Sequence, residues 1–375
     1  MARALLVSSS FLPGRGGIES YLGALCTDLA PSLAVLAAGE RDGEPLPVDL
    51  GYPTYAYPGR LLWPGRKALG AVVTAAGAEE TSKIVFGTPW PLVLLGPRLA
   101  RRGLRYAVIV HGAEMLVPSV VPGIGGALAR ALAGAELLLP VSEYTATSLR
   151  SFLGKRGLPE PPVDLLRARV DLERFRPDLD TAPIRDRLGL EAGERIILCF
   201  GRLVPRKGVD RLISALPEIR KRIPDAVVVV AGTGPELRTL ESLAEDVGGR
   251  VVFTHRVAED DAPALYAAGD VFALPVSDRW FGLEIEGLGV VLLEAAAAGT
   301  PSVTGRSGGT PEAVIDEVTG FVIDGRDRAA LVDRICTLLE QPELARSMAS
   351  AGRRHVAEHF SAKAIPEAFL SWLEP

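Results

Sequence analysis

Arg202, Arg206 and Lys207 stand together in Gly201-Arg202-Leu203-Val204-Pro205-Arg206-Lys207-Gly208, a loop that follows an apolar run and precedes a helical one. An arginine grips two phosphate oxygens through parallel hydrogen bonds and a lysine adds a mobile point charge, so such a loop can neutralise a departing diphosphate without a divalent ion. A second stretch reads Glu286-Gly287-Leu288-Gly289-Val290-Val291-Leu292-Leu293-Glu294. Its glycines let backbone amides approach an anion at the start of an apolar helix, where the helix dipole also favours negative charge. Glu294 lies about one to two turns into that helix, placed to accept hydrogen bonds from a ribose diol. Gly308-Gly309-Thr310-Pro311-Glu312 offers more bare backbone one strand later. Three such loops in succession point to a nucleoside diphosphate rather than to an isolated capped helix.

The first half contributes Pro13-Gly14-Arg15-Gly16-Gly17 and His111-Gly112, each following an apolar run. Gly16 and Gly17 expose backbone that can approach a ligand, although a plain tight turn would use the same residues. His111 is expected to face the same crevice; a structural histidine is the competing reading.

Strands must end beside these residues. Apolar, β-rich runs at 4–7, 84–86, 106–110 and 136–141 alternate with helical stretches. After a linker rich in Pro and Asp at 175–183 the pattern restarts with 195–200, 226–231, 250–253, 271–274 and 301–303. Alternation of this kind builds parallel sheets with crossover helices, whose ligands sit outside the carboxyl ends of the strands. The expected fold class is α/β, with two Rossmann-like doubly wound domains facing a central cleft. They span 1–175 and 183–356, and a helix at 357–375 packs back on the first. An apolar stretch at 123–139, charged only at Arg130 and Glu136, reads as helical.

Composition permits this and excludes other classes. A chain of 375 residues, 48% hydrophobic and 23% charged, has the length and balance of two folded domains. Cys26, Cys199 and Cys336 are odd in number and widely spaced, which argues against a disulfide framework and fits a reducing cytoplasm. No apolar run approaches about 18 residues, so none is expected to span a membrane, and the apolar start reads as a strand rather than a leader. Residues 1–170 carry 17 Lys and Arg against 13 Asp and Glu, and the remainder 24 against 33. In the basic half, Arg98, Arg101, Arg102, Arg105, Arg150, Lys155 and Arg156 would suit docking on anionic lipid. The absence of a Walker pattern and of a strict Gly-x-Gly-x-x-Gly weighs against ATPase and dehydrogenase chemistry, and an acidic chain without a binding module weighs against nucleic acid. His355-Val356-Ala357-Glu358-His359 spells a zinc-protease pattern without a third ligand, and Asp178-Leu179-Asp180 falls in the linker, as a solvated turn would.

Together with Gly16-Gly17-Ile18-Glu19, His111-Gly112-Ala113-Glu114, Val141-Ser142-Glu143, Val170-Asp171, Phe175-Arg176-Pro177 and Ala231-Gly232-Thr233-Gly234-Pro235, these segments resemble the GT-B-fold retaining glycosyltransferases of family 4 along nearly the whole chain. Phe11-Leu12-Pro13 ahead of Gly16, the 202–208 loop and Glu286-Gly287-Leu288-Gly289 resemble, within that family, the actinobacterial phosphatidylinositol mannosyltransferases that use GDP-mannose. The resemblance implies that Arg202 and Lys207 bind the donor diphosphate, Glu294 the ribose and Glu286 the transferred hexose. It places Leu288, Gly289 and Val290 at the phosphates, Gly16 and Gly17 across from them, Val257 in the loop that reads the base, and His111 beside the anomeric carbon. Two departures stand out. Arg167-Ala168-Arg169 precedes Val170-Asp171 where the family has Asn or Ser and then Gly, and His255-Arg256 replaces a usual Gly near the base loop.

The activity so implied is transfer of a hexose with retention, foremost mannose from GDP-mannose, to a lipid-linked or polyol acceptor such as a phosphatidylinositol mannoside. His111 and Glu286 are the expected catalytic residues. The second domain would hold the nucleotide sugar and the first the acceptor, an anionic glycolipid at the inner face of the plasma membrane. The alternatives are another nucleotide sugar with a soluble acceptor, or a nonenzymatic nucleotide-sugar-binding protein. The nucleotide sugar is a co-substrate; no cofactor, essential metal or nucleic acid is expected. No carboxylate nucleophile is evident, so attack from the leaving-group face is the expected route to retention.

Overall fold

The computed structural model describes residues 2–14, 17–41, 43–47, 49–112, 118, 121, 123–361 and 365–374. The chain forms two compact units, Met1–Arg169 with Ala362–Pro375, and Val170–Ser361.

In the first unit a six-stranded sheet contains β1 (Ala4–Ser8), β2 (Leu33–Ala38), β5 (Thr54–Tyr57), β6 (Lys83–Phe86), β7 (Arg105–Val110) and β8 (Leu137–Pro140) in the order β5-β2-β1-β6-β7-β8. All neighbours are parallel. A parallel sheet is covered by helices on both faces, so its strands are apolar throughout, and every residue of β1, β2, β6 and β8 is buried. β3 (Glu40–Arg41) and β4 (Glu44–Pro45) form a small antiparallel pair. β2 and β5 were not expected from the sequence: Leu-Ala-Val-Leu-Ala-Ala is rich in a strong helix former and is a strand here because β1 and β5 pair with both its edges and the fold buries every residue. The stretch 123–139 is likewise not one helix. The helix Ile124–Ala133 ends at Gly134, and β8 follows.

The second unit repeats the plan with β9 (Arg195–Phe200), β10 (Ala226–Ala231), β11 (Val251–His255), β12 (Val271–Leu274), β13 (Ser302–Gly305) and β14 (Gly320–Ile323), ordered β11-β10-β9-β12-β13-β14 and again parallel. β14, four residues opening on a glycine, went unread in the sequence. Strand order reverses between β1 and β6 in one sheet and between β9 and β12 in the other, and a doubly wound sheet opens its ligand crevice at that point.

The unit boundaries differ from the expected 175, 183 and 356. The chain leaves the first unit at Arg169, because the Val170 amide already donates to the Phe360 carbonyl (2.8 Å) and Phe175 packs edge-on against Tyr266 (5.8 Å). It returns only after Ser361, since the helix Pro342–His359 belongs wholly to the second unit. The returning helix Glu367–Leu373 buries Phe369 and Leu373. Its Trp372 Nε1 donates to Glu136 Oε2 (2.9 Å), and Lys83 Nζ lies 5.8 Å from the Trp372 ring centre.

Candidate active site

In the second unit, the loops leaving β9 and β12 flank the reversal point. Leu203, buried, anchors the first loop through its amide to the Thr233 carbonyl (2.9 Å), and a short 3-10 turn, Pro205–Lys207, turns the two adjacent cations inward. The second loop brings Glu286 to meet them. Lys207 Nζ lies 2.9 Å from Glu286 Oε2, and Arg206 Nε lies 3.4 Å from the same oxygen. Arg206 Nη1 also faces Glu284 Oε1 at 3.6 Å, and Arg279 Nη1 faces Glu284 Oε2 at 3.2 Å. Burial alone would raise the Glu286 pKa, but Lys207 and Arg206 outweigh it and hold the carboxyl below the usual range. Arg202 is exposed at the end of β9 and makes no hydrogen bond or ion pair among the described residues. The second loop is fastened from behind by Arg211, whose Nη1 donates to Ser277 Oγ (3.0 Å) and Nη2 to the Pro275 carbonyl (2.7 Å).

The main chain of Glu286 is fixed independently of its carboxylate. Its amide donates to Ser307 Oγ (2.9 Å), whose hydroxyl donates in turn to Asp278 Oδ1 (2.5 Å). Its carbonyl accepts from the Gly309 amide (3.1 Å). Gly308, at φ +51°, lies so near that carbonyl that a Cβ would collide with it, so backbone packs directly on backbone here. Leu288 is buried beside this junction, Gly289 adopts φ +84° to start the next helix, and Val290 is the first residue of that helix, Val290–Ala297. A left-handed turn of this kind suits glycine and leaves amides unshielded at the helix start.

Glu294, on the same helix, is half-buried and accepts a hydrogen bond from the Tyr266 hydroxyl (2.6 Å). Burial raises its pKa to about 7, against the lowering effect of the Tyr266 bond. Tyr266 stacks on Phe200 (5.1 Å between ring centres), which places this carboxyl beneath the end of β9. Val257 is half-buried just beyond β11, whose last residue, His255, takes φ +53°.

In the first unit, His111 follows β7 directly and is buried. Its Nε2 lies 2.9 Å from the Gly87 carbonyl, and since a carbonyl only accepts, the proton sits on Nε2. The ring meets Tyr21 edge-on at 5.2 Å, and the Tyr21 hydroxyl donates to the Leu166 carbonyl (2.7 Å). Gly17 begins the helix Gly17–Asp28, and a Cβ there would meet no described atom within 4 Å, so internal packing does not require glycine. Gly16, and Ala113 and Glu114 of the histidine motif, lie outside the described residues.

The structure therefore gathers Lys207, Glu286, Leu288, Gly289 and Val290 at one reversal point, with Glu294 on the helix they open. Tyr266, Glu284, Ser307, Asp278 and Arg211 were not singled out from the sequence. Glu284 stands two residues from Glu286 and was legible; the other four act through contacts that no local spacing encodes. Arg169, at one of the two sequence departures, ion-pairs with Asp28 at 2.8 Å. In the Asp178–Asp180 turn, Asp180 Oδ1 accepts from the Ala182 amide (3.0 Å) and Asp178 pairs with Arg176. His355 Nε2 lies 2.8 Å from the Glu312 carbonyl.

Residues 180–355 match the model of the family described as glycosyl transferases group 1. Over the full chain, similarity extends to the GDP-mannose-dependent alpha-(1-6)-phosphatidylinositol monomannoside mannosyltransferase of Mycolicibacterium smegmatis, 40% identical over 95% of this chain and 94% of the relative. The monoacylated-substrate counterpart of Corynebacterium glutamicum is 33% identical over 99% and 98%. Among solved structures, Alr3699/HepE of Anabaena in complex with UDP superposes with a TM-score of 0.83 at 21% identity, covering 100% of this chain and 99% of that one. This last likeness carries the fold, two Rossmann-like units of the GT-B class. On the matched domain and the full-length relatives, the chain belongs to the group 1 family of glycosyltransferases.

Proposed function

We propose that the protein transfers mannose from GDP-mannose, with retention, to a phosphatidylinositol mannoside. The observation that carries the reading is the cation cluster at the end of β9, Lys207 and Arg206 inward and Arg202 open, facing Glu286 at the point where the strand order reverses. Mannosyl donor and lipid acceptor are supported by the activities for which the full-length relatives are named.

In this reading Arg202 and Lys207 hold the diphosphate, the amides opened by Gly289 support it, and Glu294 accepts from the ribose hydroxyls. The acceptor oxygen forms the new bond to the anomeric carbon while the bond from that carbon to the phosphate oxygen breaks. The acceptor proton passes to an oxygen of the departing phosphate on the same face. Arg202 and Lys207 stabilise the charge that grows there, which is the part of the reaction that fixed cations accelerate most. His111, whose Nε2 donates to the Gly87 carbonyl, is assigned to the transferred sugar on the family resemblance. On the same ground Gly16 and Gly17 are assigned to the donor, and Val257 to the loop that meets the base.

A lipid-borne acceptor requires approach to a bilayer. No described helix is long and apolar enough to cross a membrane, so attachment would be peripheral. The basic residues suited to it, Arg98, Arg101, Arg102, Arg105, Arg150, Lys155 and Arg156, are all exposed, and Arg105 and Arg150 pair with Glu136 and Glu160. The test is transfer of labelled mannose from GDP-mannose to purified phosphatidylinositol mannoside, with the anomeric configuration of the product read by NMR. An α-linked product supports the reading; a β-linked product, or transfer only from another nucleotide sugar, overturns it.

A further inference from the structure

The cation meant for phosphate is engaged by a carboxylate of the same site. Lys207 and Glu286 face each other at 2.9 Å with side-chain exposures of 8% and 11%, and Arg206 adds a second positive charge at 3.4 Å from the same carboxylate oxygen. The main chain of Glu286 is pinned on both sides, by Ser307 at its amide and by Gly309 at its carbonyl. Its carboxylate can turn, but the residue cannot leave.

A phosphate that takes Lys207 must therefore share that cation with a carboxylate that stays within reach. A buried carboxylate that must share its cations with a phosphate set beside it is disfavoured by repulsion between the two anions, unless new donors reach it. A nucleotide sugar carries such donors, the hydroxyls of its hexose. A nucleoside diphosphate carries none at that position.

We infer that Glu286 discriminates between the sugar-bearing donor and the spent nucleoside diphosphate, because its carboxylate, paired with Lys207, disfavours a bare diphosphate on that cation and is satisfied only when a hexose hydroxyl donates to it. The spent nucleotide is then bound more weakly than the donor and leaves. This rests on the reading of the site as a diphosphate clamp, and adds to it a reason why Lys207 is paired with a carboxylate rather than left open.

The experiment is calorimetric titration of the full-length parent and Glu286→Gln with two matched pairs, GDP with GDP-mannose and UDP with UDP-glucose, the fold of each variant being checked by its melting temperature. In Glu286→Gln the nucleoside diphosphate of the binding pair should tighten by roughly tenfold or more, while its nucleotide sugar tightens little or weakens, since a neutral amide no longer repels phosphate and no longer accepts as strongly. In Lys207→Ala the same Glu-to-Gln change should leave the ratio of the two affinities nearly unmoved. Equal tightening for both ligands, or none for the diphosphate, overturns the inference while leaving the clamp intact. If neither pair binds the parent protein, the clamp and the inference fall together.

Discussion

Glu294 makes the site sensitive to pH in a direction that can be worked out. Burial lifts its pKa to about 7, so below that pH the empty protein carries a proton on it, and the Tyr266 hydrogen bond only partly opposes this. Ribose hydroxyls are best accepted by the ionised form, so binding below pH 7 must expel the proton. Donor affinity should be full above pH 7 and fall by about tenfold per unit beneath it. A nucleotide sugar has no phosphate group titrating between about pH 5 and 8, so a slope measured with it by calorimetry belongs to the protein. Glu294→Gln should abolish the slope and weaken binding at pH 8, and an unchanged slope in that variant would remove Glu294 from the ribose. For stability the sign is opposite to that of a paired carboxylate. The unfolded chain releases this proton near pH 4.3 and the folded one near 7, so the contribution of this group to stability declines as pH rises across that window.

At the scale of elements, the crossing of Gly308 over Glu286 is a joint with no room for a side chain. Gly308→Ala would place a Cβ against the Glu286 carbonyl at a positive φ, and both the clash and the strained backbone disfavour it. The expected loss is about 2 kcal/mol or more in urea denaturation, with loss of donor binding. Ser307→Ala removes only the hydroxyl between the Glu286 amide and Asp278, and should lower kcat/KM while the melting temperature falls by a few degrees. The two loops were legible in the sequence because phosphate binding needs cations and bare backbone in a short span after a strand, and local spacing records that. Tyr266, Ser307 and Arg211 were not, because each serves a residue far away in the chain and nothing in its neighbours announces it. β2 escaped because a run rich in Ala becomes a strand only where the fold buries it, and β5 and β14 because four residues are too few to show a period.

At the scale of the molecule, the chain passes from the first unit to the second and back, so the last residues complete the first unit. Phe369 and Leu373 are buried there, and Trp372 and Glu374 meet Glu136 and Lys83. Ending the chain at residue 361 should therefore destabilise the first unit, although the lost residues follow the second. Removing two large apolar side chains from a core costs about 3–6 kcal/mol on burial alone. Hydrogen exchange should show faster exchange in β6, β7 and β8 with the second sheet little changed, and uniform protection in both sheets would contradict this account of the return helix. The cation loop after β9 is the feature on which the functional account turns, and Arg202, exposed and engaged with no described residue, can be altered with the least disturbance to the fold. The most direct measurement is kcat/KM of Arg202→Ala for GDP-mannose, with phosphatidylinositol mannoside as acceptor and at an unchanged melting temperature. The account predicts a fall of about a hundredfold or more, whereas turnover near that of the parent protein would contradict it.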